Sequence, residues 1–302
     1  MIRNTLSVIS DMVNGNLPVG RSSRGSVMFS DKHSRKACAV VTGAGSGIGE
    51  AFAHELARRG GRVVCSDINP VTAEATAAAI RANGGDAIAF ACDVSKLDQV
   101  ERLAEQAEAW LGCPVDLVVN NAGVGAGGLN IGEISMEDWH WTMGVNMWGV
   151  IHGCHVFAPK LRSLGRGGII NVCSTASFAA APLMGPYNVS KAAVLALSET
   201  LAAEMSGTGV AVTALCPTFV KTNIARDART PSAASDLAAK LMAWTGIPAE
   251  RVAKTTLDAL DRGQLYVLPQ LDARTIWRTK RLLPAVYTRG AGLLSRLAAA
   301  KL

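Results

Sequence analysis

No apolar run in this 302-residue sequence reaches the ~18 residues needed to span a bilayer, which argues against a transmembrane segment. Charge is sparse at 18% of residues, and no dense Lys/Arg run interleaved with aromatics crosses the central part of the chain. The formal charge of +6 therefore lends little support to nucleic-acid binding, and none is expected. The seven cysteines (Cys38, Cys65, Cys92, Cys113, Cys154, Cys173 and Cys216) lack metal-ligand spacing. They are odd in number and mostly inside apolar runs, so they read as buried free thiols in a reducing, cytoplasmic compartment. His152 and His155 are three apart with no third ligand close in sequence, and no metal is expected. Tandem repeats are also missing. What is present is an apolar fraction of 49%, ample for the core of one large domain.

Residues 1–36 are rich in Ser, Gly, Asn and Arg and precede the first strand-like run. Asp11, Asp31 and the lack of sustained amphipathy argue against a targeting peptide, so the segment reads as a flexible N-terminal extension. From Ala37 the pattern alternates. Strands are expected at 37–41, 62–66, 86–91, 115–119, 168–173, 210–215 and 265–268. Helices are expected at 48–59, 71–83, 97–111, within 136–164, at 186–205 and at 249–261. Such β-α alternation calls for an α/β, three-layer, doubly wound parallel sheet of about seven strands, with the catalytic domain over 37–271.

Within this pattern one constellation carries chemistry. Tyr187 and Lys191 are four apart on a helix and so share a face. A lysine charge about 4.5 Å away at an effective dielectric of about 20 is worth roughly 3 to 4 kcal/mol, enough to bring a phenol toward working range as a proton carrier. Ser174 ends the strand-like run 168–173, which places its hydroxyl at the carboxyl edge of a sheet. Near the start, Thr42-Gly-Ala-Gly-Ser-Gly-Ile-Gly49 follows a strand and opens a helix, the setting in which glycines let backbone N–H groups and a helix N-terminus meet a pyrophosphate. Asn120-Asn-Ala-Gly123 and Asn146-Met-Trp-Gly149 follow in order. Taken together, the serine, Tyr-x-x-x-Lys and the glycine-rich first turn resemble the short-chain dehydrogenase/reductase family.

That resemblance implies a Rossmann-type fold and hydride transfer between a nicotinamide cofactor and a secondary alcohol or ketone. Tyr187 would exchange the proton, Lys191 lower its pKa and hold the nicotinamide ribose, Ser174 fix the reacting oxygen, and Asn146 hold a water that connects Lys191 to solvent. Gly43, Ser46, Gly47, Ile48 and Gly49 would bind the pyrophosphate end. Asp67 ends the second strand, where a carboxylate can accept from ribose hydroxyls and repel a 2′-phosphate. With Ile68 and Asn69 offering no compensating arginine, NAD(H) is expected over NADP(H). Asp93 and Val94 would touch adenine. Asn120, Ala122 and Gly123 would line the cleft or, for Asn120, brace the sheet. Pro217, Val220 and Thr222 would meet the carboxamide, although Thr218 stands where the family usually has glycine. A homodimer or homotetramer is implied. A rival reading is a nucleotide-sensing protein that kept the fold and lost the reaction.

Specificity is expected in loops 125–134 and 178–186 and in the insert 223–248, where Leu237, Leu241, Met242 and Trp244 suggest a lid helix over an apolar, bulky substrate. The tail, 272–302, carries Arg274, Arg278, Lys280, Arg281, Arg289, Arg296 and Lys301 against Asp272 alone, interspersed with apolar residues. Pro284 and Gly290-Ala-Gly292 are expected to break it into short helices that pack on protein or make weak peripheral contact with a membrane.

Overall fold

Strand β1 (Cys38–Thr42) lies third in a seven-stranded sheet ordered β3-β2-β1-β4-β5-β6-β7 in this computed structural model, which describes residues 32–222, 228–231, 240 and 243–299. The other strands are β2 (Arg62–Asp67), β3 (Asp86–Ala91), β4 (Leu117–Asn120), β5 (Gly167–Val172), β6 (Val210–Leu215) and β7 (Tyr266–Val267), and every pairing is parallel. Strand order reverses between β1 and β4. In open α/β sheets that reversal leaves a crevice beyond the carboxyl ends of the strands.

Two helical layers cover the sheet. On one face, α1 (Gly47–Arg58), α2 (Pro70–Ala82) and α8 (Ala249–Leu260) bury Phe52, Leu56, Ile80 and Leu257 together with Ile170 of β5. On the other, α3 (Leu97–Leu111), α5 (Gly149–Leu164) and α7 (Gly185–Glu204) bury Leu103, Phe157, Leu161 and Val194 with Ile169. Adjacent residues of β5 thus serve opposite layers, which is why these strands read as unbroken apolar runs. Local chemistry sets the boundaries. Asn69 caps α2 by accepting from the Val71 N–H, with Pro70 fitting the first turn, and Gly112 ends α3 at φ +64°.

The expected long helix over 136–164 is interrupted. α4 (Met136–Met143) passes into a π-helical turn, Gly144–Trp148, before α5 begins. The short α6 (Ala176–Ala179) precedes α7. Most of the expected N-terminal extension, 1–31, lies outside the described residues. In the remainder, Ser34 is buried, its N–H and Oγ donating to Asp261 at 2.9 and 2.7 Å, while Arg59 donates to Ser34 Oγ.

One cysteine expectation is corrected. Cys38 and Cys113 form a disulfide across 75 residues, because the chain leaving α3 returns beside the start of β1, where Asp116 Oδ1 accepts from the Cys38 N–H at 2.8 Å. The other five cysteines are free and buried, and burial pushes the thiols of Cys65 and Cys154 up to about 12 and that of Cys92 to about 11.

Beyond β7 come α9 (Leu271–Leu282) and α10 (Pro284–Ala299). Pro284 separates them as expected, but the glycines at 290 and 292 do not: α10 runs through both. A helical glycine costs about 1 kcal/mol relative to alanine, which weakens a helix without ending it. Among the described residues, no helix is long and apolar enough to cross a membrane.

Candidate active site

The glycine turn sits where β1 ends, and its conformation demands glycine at two places. Gly43 (φ +63°) and Gly47 (φ +57°) are left-handed. A Cβ at Gly45 would fall 2.2 Å from Thr72 Oγ1, and one at Gly49 2.0 Å from the Gly43 carbonyl oxygen, so α1 packs against its own entry turn. Ser46 is the exposed N-cap of α1, yet its hydroxyl caps nothing. Ile48 packs on the first core layer. Thr222 lies over Gly47, where a Cβ would meet its Cγ2 at 2.9 Å, which joins the glycine turn to the segment 217–222.

Asp67 is oriented by backbone donors. Its Oδ2 accepts from the Gly45 N–H at 2.9 Å and its Oδ1 from the Asn69 N–H at 3.0 Å, leaving the carboxylate half-exposed beside Ile68, which is 69% exposed. Asp93 is likewise held, accepting from the N–H and Oγ of Ser95 at 3.0 and 2.7 Å. Val94 is buried under Gly149, and its carbonyl pairs with His152 Nδ1 at 2.9 Å.

The two asparagines at the end of β4 divide their work. Asn120 is buried in the sheet, donating to Asn171 Oδ1 at 2.8 Å, and Asn171 donates in turn to Ser198 Oγ at 3.0 Å. Its side chain is thus engaged between β5 and α7. Asn121 instead faces the glycine turn, donating to the carbonyls of Thr42 and Gly43 at 2.9 and 3.1 Å. Thr42 Oγ1 accepts from the N–H groups of Asn121 and Ala122. Gly123 is the point of closest approach: a Cβ there would lie 3.2 Å from Asn146 Oδ1 and 3.4 Å from Lys191 Nζ.

Asn146 occupies the π turn, fully buried. It accepts from the Val124 N–H at 2.7 Å and donates to the Val124 carbonyl at 2.9 Å and to Ser190 Oγ at 3.2 Å. Single π turns inside helices recur at functional sites because the extra residue re-aims a side chain. Both faces of the Asn146 amide are therefore fixed before any ligand arrives.

Ser174 follows β5 and its Oγ accepts from the Ala176 N–H at 3.1 Å, which holds the start of α6. Ser177 Oγ donates to the Lys191 carbonyl at 2.7 Å. Lys191 itself is buried, and its Nζ donates to the Val172 carbonyl at 2.8 Å and lies 5.9 Å from the Tyr187 ring centroid. Burial drives the Lys191 pKa down to about 8. Burial also raises the pKa of the Tyr187 phenol, with a hydrogen bond from Ser174 opposing it. Burial outweighs that bond, so the phenol stands above its ordinary value, while the Lys191 ammonium is engaged by a carbonyl.

Pro217 is buried, and its carbonyl accepts from the Thr175 N–H at 2.8 Å. Val220 is buried and bridges Ile247. Thr218 departs from the family glycine without left-handed backbone: it is held by Gln270 and Asp272, which receive its N–H and Oγ1 at 3.1 and 2.9 Å. Left-handed conformation appears instead at Ala180 (φ +51°) and Leu183 (φ +65°), in the loop between Ser174 and Tyr187. Non-glycine residues hold such conformations at a cost of about 1 to 3 kcal/mol, and they cluster at ligand sites. Gly128 donates to the Leu183 carbonyl at 2.7 Å, tying the two expected specificity loops together.

Of the expected lid, 223–227, 232–239 and 241–242 lie outside the described residues, and Trp244 is 89% exposed. Arg229, which the sequence did not single out, fastens this insert. Its N–H donates to the Gly125 carbonyl at 3.0 Å, its Nη1 meets Glu137 and Asp138 at 3.1 and 3.2 Å, and its guanidinium stacks 4.4 Å from the Trp141 ring.

Comparison with known proteins agrees with this geometry. The model of the short chain dehydrogenase family matches residues 37–233. The "Probable oxidoreductase EphD" of Mycobacterium tuberculosis is 43% identical over 185 residues; these cover 61% of this chain but only 31% of EphD. The 1-deoxy-11-beta-hydroxypentalenate dehydrogenase of Streptomyces exfoliatus is 34% identical over 83% of this chain and 92% of its own length. A short chain dehydrogenase/reductase from Burkholderia phymatum, solved with NAD, superposes with a TM-score of 0.78 at 36% identity, over 83% of this chain and 94% of its own. A gluconate 5-dehydrogenase from Burkholderia cenocepacia, solved with NADP and tartrate, gives 0.69 at 28% identity, over 81% and 98%. The seven-stranded parallel sheet, the glycine turn and the serine, tyrosine and lysine at its carboxyl edge thus go with a matching family model, and the chain belongs to the short-chain dehydrogenase/reductase family of oxidoreductases.

Proposed function

We propose that the chain, through residues 37–271, is an NAD(H)-dependent enzyme interconverting a bulky, apolar secondary alcohol and its ketone. The observation that carries this reading is a chain of neighbours: Asn146 and Lys191 approach Gly123, Lys191 Nζ lies 5.9 Å from the Tyr187 ring, and Ser174 hydrogen-bonds the Tyr187 phenol. A dinucleotide fits the residues present because the turn opening α1, left-handed at Gly43 and Gly47, leaves Ser46 exposed with its hydroxyl capping nothing at a helix N-terminus, where a phosphate is favoured. Gly43, Ser46, Gly47, Ile48 and Gly49 hold its phosphates, Asp67 and Ile68 its ribose, and Asp93 and Val94 its adenine. Ala122 and Gly123 back the cleft, Tyr187 and Lys191 hold the nicotinamide ribose, and Pro217, Val220 and Thr222 its carboxamide. Asn120 supports this wall from within the sheet.

The bound nicotinamide supplies or accepts the hydride. The protein's share is the proton. In reduction, Ser174 and Tyr187 both bind the carbonyl oxygen, and the phenol gives its proton as the alkoxide forms. Lys191 offsets the resulting phenolate charge, and Asn146 positions the water that restores the proton. In oxidation the same groups run in reverse.

The choice of NAD(H) rests on Asp67, whose carboxylate disfavours a 2′-phosphate; the solved relatives include both NAD and NADP complexes. The substrate is argued from this chain's own rim, since the relatives' names range from a hydroxypentalenate to D-threitol. Leu129, Ile131 and Leu183 line the two specificity loops at 39%, 78% and 42% exposure, an apolar edge awaiting cover. We also propose a homodimer or homotetramer, in keeping with Trp148 and Val189 exposed on the π turn and α7.

A panel of apolar secondary alcohols and ketones, with NAD(H) and NADP(H) in parallel, tests the reading. Turnover with NAD(H) that Tyr187→Phe abolishes supports it. NADH binding without turnover on any member, and unchanged by that substitution, would replace it with the nucleotide-sensing reading.

A further inference from the structure

We propose that α9 and α10 form a docking surface for an anionic lipid headgroup layer. Three observations converge on it. The first is charge. Residues 272–302 hold seven basic residues and one acid, a net +6 equal to the formal charge of the whole chain; the other 271 residues balance, with 23 of each sign remaining from 30 and 24. The enzyme is therefore a neutral body carrying a cationic arm.

The second is the pattern on α10, which contains no Asp or Glu. Val286, Arg289, Leu293 and Arg296 follow at steps of three, four and three, one stripe along the helix, and all four are exposed. Leu282 and Leu283 extend the apolar part at the junction with α9, at 77% and 54% exposure, alongside Val286 at 63% and Leu293 at 58%. Arginines alternating with aliphatic side chains suit an interface where phosphates lie beside acyl chains. A symmetric second copy suits it less well, since a two-fold contact would set the arginines of one α10 against those of the other.

The third is anchorage. α9 is fixed to the body by its inner face, where Ala273 is buried, Trp277 lies 5.7 Å from the Tyr266 ring and Arg281 stacks on Trp277 at 4.0 Å. Its start is tied to the cleft rim: Gln270 donates to the Phe219 carbonyl at 2.9 Å, and Asp272 accepts from Thr218. The arm thus starts beside the segment 217–222 and leaves α10 largely exposed.

Sedimentation of the full-length protein with vesicles tests the proposal. Binding is expected to vesicles of phosphatidylcholine with 30 mol% phosphatidylglycerol and not to phosphatidylcholine alone. It should fade as salt approaches 1 M, where the screening length falls to about 3 Å. Each basic residue at such a surface contributes about fivefold, so Arg289→Gln with Arg296→Gln should cut partitioning about 25-fold. Leu293→Gln should weaken it independently, with circular dichroism spectra and melting unchanged in all variants. Equal binding to neutral vesicles, binding to neither, or partitioning indifferent to the double substitution would overturn the proposal. So would dissociation of an oligomer by the double substitution, which would assign the stripe to a second copy.

Discussion

Lys191 Nζ hydrogen-bonds the Val172 carbonyl at 2.8 Å while standing 5.9 Å from the centre of the Tyr187 ring, so the two groups share a cleft without pairing directly. The consequence is an asymmetry between the two directions of the reaction. Burial keeps the phenol protonated, the form needed to donate to a carbonyl. Reduction should therefore hold steady through neutral pH, whereas alcohol oxidation, which needs the phenolate, should rise with pH. Profiles of kcat/KM measured in both directions check this; parallel profiles would contradict it. Tyr187→Phe should lower kcat by about 10² to 10⁴ in both directions, the usual worth of a positioned proton donor, while NADH still binds.

Lys191 also sets a stability prediction. Its pKa falls from 10.5 to about 8 on folding. Below pH 8 the side chain is charged in both folded and unfolded chains, and the cost of burying that charge is felt in full. Between about 8 and 10.5 the unfolded chain binds the proton and the folded one does not, so stability contributed by this site rises with pH. By linkage the cost is on the order of 3 kcal/mol, against roughly 1.5 to 3 kcal/mol for the charge-assisted hydrogen bond to Val172 that Lys191→Met would forfeit. Lys191→Met should thus raise the melting temperature of the ligand-free protein at pH 7, with the gain shrinking toward pH 10, even as it removes activity.

Asp67→Ala should narrow the ratio of NADP(H) to NAD(H) dissociation constants. Because Asp67 also accepts from the Gly45 and Asn69 N–H groups, both affinities should fall, and the ratio is the informative quantity. Equal binding of the two cofactors by the wild type would remove the assignment.

Much of this arrangement is legible in the sequence because it is local. The apolar run before Ser174 is β5, and the spacing of Tyr187 and Lys191 needs only one helix. Features made by distant chain segments are not legible. Cys38 and Cys113 meet only because α3 carries the chain back to β1. The π turn at Gly144–Trp148 has no periodic signature, and Asn146 within it pairs with Val124 from another segment. Thr218 replaces a glycine because Gln270 and Asp272, more than fifty residues later, hold it. Asn121 was within the quoted motif, but only the fold separates its task from that of Asn120.

That separation predicts opposite phenotypes. Asn120→Ala deprives Asn171 Oδ1 of its amide donor in a buried setting, leaving only the weaker Cys154 thiol, and should destabilise the protein by about 1 to 3 kcal/mol with NADH affinity nearly intact. Asn121→Ala frees the carbonyls of Thr42 and Gly43, which shape the glycine turn, and should weaken NADH binding more than it lowers the melting temperature. Thermal melts and NADH fluorescence titrations of the two variants separate these outcomes.

Arg229 joins the insert to the body through the Gly125 carbonyl, two carboxylates of α4 and the Trp141 ring. Glu137 is largely exposed, at 83%, and Asp138 less so, at 30%, and exposed ion pairs contribute only about 0 to 1 kcal/mol each. Stacking of the guanidinium on Trp141 adds about 0.5 to 1 kcal/mol. Global stability should therefore change little in Arg229→Ala, because the core layers are untouched. Its local effect should be larger, since residues 228–231 border the loop that carries Leu129 and Ile131. KM for an apolar substrate should rise about threefold to tenfold, the equivalent of ~0.7 to 1.4 kcal/mol, with kcat retained or increased. Arg229→Lys keeps the charge and loses the planar stack, so it should restore only part of the affinity. Trp141 provides a direct reporter: its fluorescence should respond to Arg229→Ala in the ligand-free protein. A lower kcat with unchanged KM would instead place Arg229 in support of the chemistry and not of substrate capture.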